Sequence, residues 1–220
     1  MTLPHETGES PGCASPPRVR TSLADRIINE VGTLDQAMHD ALARTPTPTL
    51  DPLMMRVSNA ANYTRVWIAI AAALAALGDQ EGRRAAIKGL TAVGAASISA
   101  NLVAKHLVPR NRPDRRSVVS GRETRMPTSS SFPSGHAASA FAFATAVTGD
   151  FPQLTLPLYG LAALVGYSRI HTGVHYLSDV VGGAFLGLAV GLQVRNRLSG
   201  GAERGGALRK VHTSRCPTGS

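Results

Sequence analysis

The sequence predicts an all-α protein, a multi-pass helical bundle in a membrane with about five spans and an N-terminal amphipathic helix. Three observations predict it. Apolar residues are concentrated in 66–107 and 133–194, while Pro, Ser, Thr and charge gather toward the ends of the 220-residue chain. These two stretches divide into five apolar segments unusually rich in Ala and Gly. The last segment places Gly183, Gly187 and Gly191 four residues apart, a spacing that lets helices approach closely.

Taken in order, residues 1–20 carry Pro, Gly, Ser and Thr without apolar periodicity, which predicts a disordered tail. Residues 21–63 form an amphipathic region. Leu23, Ile27, Ile28, Val31, Leu34, Met38 and Leu42 recur at helical spacing, with Asp25, Arg26, Glu30, Asp35 and Asp40 on the other side. Such a helix either lies on the membrane surface or packs against the helical body. The Pro-containing TPTPTLDP stretch ends it, and a second short helical stretch follows, closing near Tyr63. The bundle proper covers 64–196, with apolar segments at 66–77, 86–107, 134–148, 154–167 and 176–194. A span needs roughly 20 apolar residues, so the second and fifth qualify directly and the others only with their flanks. Residues 197–220 form a basic tail expected to be disordered.

The formal charge of +9 raises nucleic acid as a partner, since basic proteins bind phosphate backbones. Aromatic residues are only 5% and no nucleic-acid motif is present, so that class is set aside. A basic chain with apolar spans instead suits membrane lipids and an anionic lipid substrate. Cys13 and Cys216 both lie in the tails and give neither a disulfide framework nor metal-ligand spacing. The first residues lack the basic start and apolar run of a secretory signal, so insertion is expected to use the internal segments. Basic residues fall on both sides of the expected spans, which leaves the side of the membrane open.

Chemistry resides in three separated clusters. They are 105–113 (KHLVPRNRP), 133–136 (PSGH) and 168–179 (SRIHTGVHYLSD), or K-x6-R-P, P-S-G-H and S-R-x5-H-x3-D. This three-part signature closely resembles that of the type 2 phosphatidic acid phosphatase, or lipid phosphate phosphatase, family. Every signature position is matched, and the resemblance covers roughly residues 65–194. On the helical scheme, Lys105 ends the second segment, PSGH begins the third, Ser168 and Arg169 end the fourth, and His175 begins the fifth. In an up-and-down bundle these four termini lie at one face, so the signature residues converge.

Lys105, Arg112 and Arg169 supply three cations able to wrap a phosphate, the guanidiniums making bidentate contacts. His175 and Asp179 are four residues apart, so on a helix the carboxylate holds the imidazole in one tautomer. The resemblance implies that the other ring nitrogen of His175 attacks phosphorus, giving a phosphohistidine that water hydrolyses. His136 is placed to protonate the leaving oxygen and then activate water. Ser134 and Gly135 precede it at a helix start whose free N–H groups suit an anion, with Ser134 either a donor or only a cap.

No cofactor is expected. His171, His175 and Asp179 have the spacing of a metal site, but three converging bases repel a divalent cation, and the family resemblance implies metal independence. His171 fits no signature position and reads as a loop or supporting residue. Arg110, Arg115, Arg116, Arg122 and Arg125 crowd the stretch between the first two clusters, either attracting anionic headgroups or forming a solvated basic loop. The expected activity is hydrolysis of a lipid phosphate: polyprenyl phosphate or diphosphate, phosphatidate, or phosphatidylglycerophosphate. Two alternatives are a vanadium-haloperoxidase-like enzyme, whose vanadate would occupy the phosphate position, and a catalytically silent membrane transporter or scaffold. The His136, His175 and Asp179 set argues against the last.

Overall fold

The computed structural model describes residues 22–104, 109–114, 118, 122, 126 and 128–213, with side chains at 103, 104 and from 200 onward excepted. The described residues are helical and contain no strand. Helix α1 (Leu23–Arg44) starts at Ser22, whose hydroxyl accepts the Asp25 N–H while Asp25 reaches back to the Ser22 N–H. This reciprocal cap satisfies two of the donors that a helix start leaves open. Helix α2 (Leu50–Ala60) leads through a 3-10 turn (Asn62–Thr64) into α3 (Arg65–Leu77), with a bend of 66°. Tyr63 and Thr64 make that bend in the left-handed region, at φ 57° and 63°. For a β-branched residue such as Thr64 this is a strained conformation.

Asp79 caps α4 (Gln80–Ile98), which opens into a wide π-helical turn (Ser99–Ala104). Ser134 caps α5 (Gly135–Thr148), and a second 3-10 turn (Pro152–Leu154) leads to α6 (Thr155–His171). Helix α7 (Leu177–Thr213) is the last described element and enters the stretch that composition reads as a basic tail.

Helix α5 is the axis of the bundle, with every residue from Ala137 to Ala140 and Ala142 to Val147 buried. Against it lie Trp67 and Ala71 of α3, Ala85 and Val93 of α4, and Leu158, Ala162 and Val165 of α6. On its other side an alanine seam joins Ala92 and Ala96 of α4 to Ala138, Ala142 and Ala146 of α5. Helix α7 closes this seam through its glycines. A Cβ on Gly183 would stand 2.4 Å from the Ser134 carbonyl, on Gly187 2.3 Å from that of Ala138, and on Gly191 2.7 Å from that of Ala142. Only a hydrogen fits at these crossings, so the four-residue spacing lies in the α5–α7 contact.

Over their described residues the five apolar segments all form helices, yet length separates them. Among the described residues, α7 over Leu177–Ser199 is the helix long and apolar enough to cross a membrane, and the bent α2–α3 pair passes the same test jointly. At a rise of about 1.5 Å per residue, the 13 residues of α3 and 14 of α5 reach only about 20 Å, short of the roughly 30 Å hydrocarbon core. The expected count of about five spans is therefore matched in helices but not in span length.

Helix α1 packs on the body through part of its polar side. Asp35, His39 and Ala43 are its buried residues, so part of the polar side faces the protein. Leu23, Ile27, Ile28, Val31 and Leu34 of the apolar stripe point outward and are exposed.

Candidate active site

The site is built from the loop around Arg112, the start of α5 and the α6–α7 connection. A cavity of about 250 Å³ is lined by Arg112, Gly135, His136 and His175, together with Tyr63, Thr64 and Trp67 from the α2–α3 bend. Ser97 and Asn101, from the far end of α4 and its π turn, also line it, with Ala61, Ser129 and Ser139. The strained bend thus forms one side of the cavity.

His175 sits just before α7 and is 3% exposed. Its Nδ1 lies 3.5 Å from Asp179 Oδ2. Its Nε2 lies 3.4 Å from Arg112 Nη1. A guanidinium only donates, so Nε2 is the acceptor and the ring proton resides on Nδ1, facing Asp179. Burial, with the nearby Arg112 and Arg169 charges, pushes His175 down to about 4 against the opposing pull of Asp179. The imidazole is therefore neutral at physiological pH, with its lone pair directed at the cavity.

Arg112 is fixed by carbonyls: Nε donates to Ser129 O at 2.9 Å, Nη1 to Val174 O at 2.8 Å and Nη2 to Ser130 O at 3.2 Å. Three carbonyl contacts hold the guanidinium plane beside His175 before any ligand arrives. Burial lowers its pKa, with Asp179 opposing. His136 opens α5 across the cavity, and its Nε2 lies 3.2 Å from Asn62 Oδ1.

Other predicted residues are placed behind this wall. Arg169 is 1% exposed and donates to Ser58 Oγ at 2.6 Å, while its carbonyl accepts the Val174 and His175 N–H groups. Ser134 is fully buried; its hydroxyl faces the Ala137 N–H at 3.5 Å as a helix cap, and its own N–H donates to the Asp179 carbonyl. Lys105 lies outside the described residues.

The basic loop is not simply solvated. Arg122 is 1% exposed, donating to Asp51 Oδ1 at 2.8 Å and to the Leu42 and Thr45 carbonyls at 2.6 Å each. His171, read as a supporting residue, meets the same Asp51 oxygen at 2.8 Å. Together they tie the α1–α2 connection to the end of α6. Arg110 pairs with Asp35 at 2.6 Å and Asp179 at 2.9 Å. Burial opposes its charge, but these two carboxylates outweigh that and raise its pKa. Arg115, Arg116 and Arg125 lie outside the described residues. Sequence reasoning missed Asp35 and Asp51 as supports, because each partner lies some 70 positions or more away.

The described residues thus form a helical bundle whose cavity gathers two histidines, one backed by a carboxylate, beside a fixed guanidinium. Its family follows from the match of residues 85–198 to the model of the PAP2 superfamily, to which the chain belongs. It is 40% identical over 114 residues to the decaprenylphosphoryl-5-phosphoribose phosphatase of Mycobacterium tuberculosis, a match covering 50% of this chain and 62% of that protein. The chain thus spans somewhat under two thirds of that relative. It is 37% identical over 100 residues to phosphatidylglycerophosphatase B of Bacillus subtilis, covering 40% of this chain and 46% of that one. The crystal structure of a transmembrane PAP2 type phosphatidylglycerolphosphate phosphatase from Bacillus subtilis superposes with a TM-score of 0.61 at 26% identity, over 76% of this chain and 86% of the other.

Proposed function

We propose that this protein is a membrane lipid phosphate phosphatase that hydrolyses a phosphomonoester or diphosphate through a phosphohistidine on His175. The observation that carries the reading is the His175 ring held between Asp179 and Arg112, its Nε2 3.4 Å from the Arg112 guanidinium in a cavity that also holds His136. A phosphoryl group drawn onto Arg112 is brought within reach of that nitrogen.

In the first step Nε2 attacks phosphorus, the bond from phosphorus to the leaving oxygen breaks, and His136 gives that oxygen a proton. Positive charge growing on the His175 ring is balanced by Asp179. In the second step water attacks the phosphohistidine, His136 takes its proton, and the nitrogen–phosphorus bond breaks to release inorganic phosphate. Arg112 meets the phosphoryl oxygens directly, Arg169 adds its charge from behind the cavity wall, Lys105 is the third cation, and the Gly135 N–H at the start of α5 adds a backbone donor. Ser134 contributes by fixing that helix start. No metal enters this scheme.

The substrate is a lipid phosphate, whether polyprenyl phosphate or diphosphate, phosphatidate or phosphatidylglycerophosphate. The named relatives, a decaprenylphosphoryl-5-phosphoribose phosphatase and a phosphatidylglycerophosphatase, support this class and put polyprenyl-linked phosphates first in the panel. Helices α3 to α7 act as the membrane body, and α1 lies at its surface. Support comes from large apolar side chains facing outward on these elements: Ile68, Leu77, Ile87, Ile98, Leu156 and Phe185 are each more than half exposed. A surface of that kind is matched to an apolar surrounding.

The test is phosphate release in detergent with excess EDTA from polyprenyl, phosphatidyl and soluble phosphates, comparing the wild type with His175→Ala. Release that requires His175 and persists in EDTA is the expected result. Activity surviving His175→Ala would overturn the mechanism.

A further inference from the structure

Asp179 is anchored by groups that occupy no fixed position of the signature. Its Oδ2 faces His175 and accepts the Tyr176 N–H at 2.9 Å, while its Oδ1 accepts Arg110 Nη1, also at 2.9 Å. Arg110 turns its other terminal nitrogen to Asp35 Oδ2 at 2.6 Å, and its guanidinium lies 4.5 Å from the centre of the Tyr176 ring. Asp35 belongs to α1 and is 2% exposed. It also accepts the Ser178 N–H at 3.0 Å and the Ser178 hydroxyl. A carboxylate from α1 therefore caps α7, whose first N–H groups have no partner within their own helix.

Two buried carboxylates at the head of one helix repel each other unless a cation lies between them. A planar guanidinium can bridge both in fixed geometry, which a lysine ammonium cannot. Arg110 does so without lining the cavity that holds His136 and His175, and Asp35 does not line it either. The bridge therefore acts on how the nucleophile is held and leaves phosphate contact to other groups.

We infer that Arg110 and Asp35 are positioning residues for phosphoryl transfer: the Asp35–Arg110 pair clamps Asp179, and through it the His175 ring, making α1 a working part of the active site. This rests on His175 being the nucleophile. Loosening the clamp slows attack on phosphorus without weakening the capture of phosphate.

The full-length protein in detergent, assayed with p-nitrophenyl phosphate as substrate and inorganic phosphate as competitive inhibitor, tests this. Arg110→Met is expected to lower kcat about 10–100-fold with KM and the phosphate inhibition constant held within about two-fold. Asp35→Asn lowers kcat in the same sense, Arg110→Lys recovers little, and the Arg110→Met/Asp35→Asn double variant is scarcely worse than Arg110→Met, because the residues act as one unit. If Arg110→Met fails to fold, Asp35→Asn and Arg110→Lys are judged by the same readouts. Unchanged kcat in folded variants overturns the inference, as does a rise in KM at constant kcat or a loss that merely tracks the unfolded fraction. His175→Ala in parallel separates the two failures: an active His175→Ala protein sinks the proposed function, whereas an inactive one beside undiminished Arg110 and Asp35 variants sinks only the clamp.

Discussion

In the proposed mechanism His175 and Arg112 are the residues on which the chemistry turns, and each has a separable signature. Arg112→Ala removes a prearranged cation from the phosphate position, so KM is expected to rise on the order of tenfold or more, with a smaller effect on kcat. His136→Ala is expected to do the reverse, costing about 10²–10⁴-fold in kcat while leaving substrate affinity closer to wild type. Steady-state kinetics on one soluble phosphate distinguishes the two. The depressed pKa of His175 also predicts a stability effect. Between pH 6.5 and about 4 the unfolded chain binds a proton at this site that the folded protein excludes, so stability is full above 6.5 and is lost as pH falls toward 4. A shift of that size corresponds to about 3 kcal/mol. Thermal midpoints across this range should fall more steeply for the wild type than for His175→Gln, and parallel slopes would refute it. These residues were legible because the signature places them by local spacing. Asp35 and Arg110 were not: one read as a member of a polar helix face and the other as a loop charge, and their pairing across 75 positions has no local pattern.

Among the elements, α5 and α7 depend most directly on residue size. Gly187→Val would force a side chain into the Ala138 carbonyl, 2.3 Å from the new Cβ. Backbone cannot yield as a flexible side chain does, so the expected cost is about 1–3 kcal/mol or more, read as a lower unfolding midpoint in detergent. Gly160, whose Cβ would meet nothing within 4 Å, serves as the control, and Gly160→Ala should be near neutral or stabilising. The four-residue glycine spacing in the sequence was legible as a close helix contact, though not which helix it meets. Segment boundaries were legible to within a few residues for α3 and α5, because apolar runs end there at Gly, Asp or Pro. Helix α4 begins earlier than its apolar run: Gln80–Ile98 includes Glu81, Arg83 and Arg84, which hydropathy discounts although capping by Asp79 starts the helix.

For the molecule as a whole, helix content and the gathering of Arg112, His136 and His175 at one cavity followed from sequence, and the number of full-length spans did not. Hydropathy measures what a segment tolerates, whereas the extent of a helix depends on caps and on Gly and Pro breaks. The outward set of Leu, Ile and Phe side chains predicts that the protein requires detergent or lipid to remain dispersed. With the protein reconstituted into liposomes and Cys13 and Cys216 replaced, a polarity-sensitive fluorophore on a cysteine at Ile27 should report an apolar surrounding. A water-like signal there would remove α1 from the membrane surface.

The alanine seam between α4, α5 and α7 bears on temperature. Alanine and glycine surrender no side-chain rotamers when they are buried, so this interface, to which α7 adds only the partly buried Leu186, Val190 and Val194, is ordered with less of the entropic penalty that a leucine-rich one would carry. What remains at the crossings is backbone against methyl, with few alternative packings for heat to populate. The frame that spaces His136 from His175 should accordingly hold its dimensions until the bundle unfolds, and turnover should rise smoothly with temperature up to a sharp limit rather than fade ahead of it.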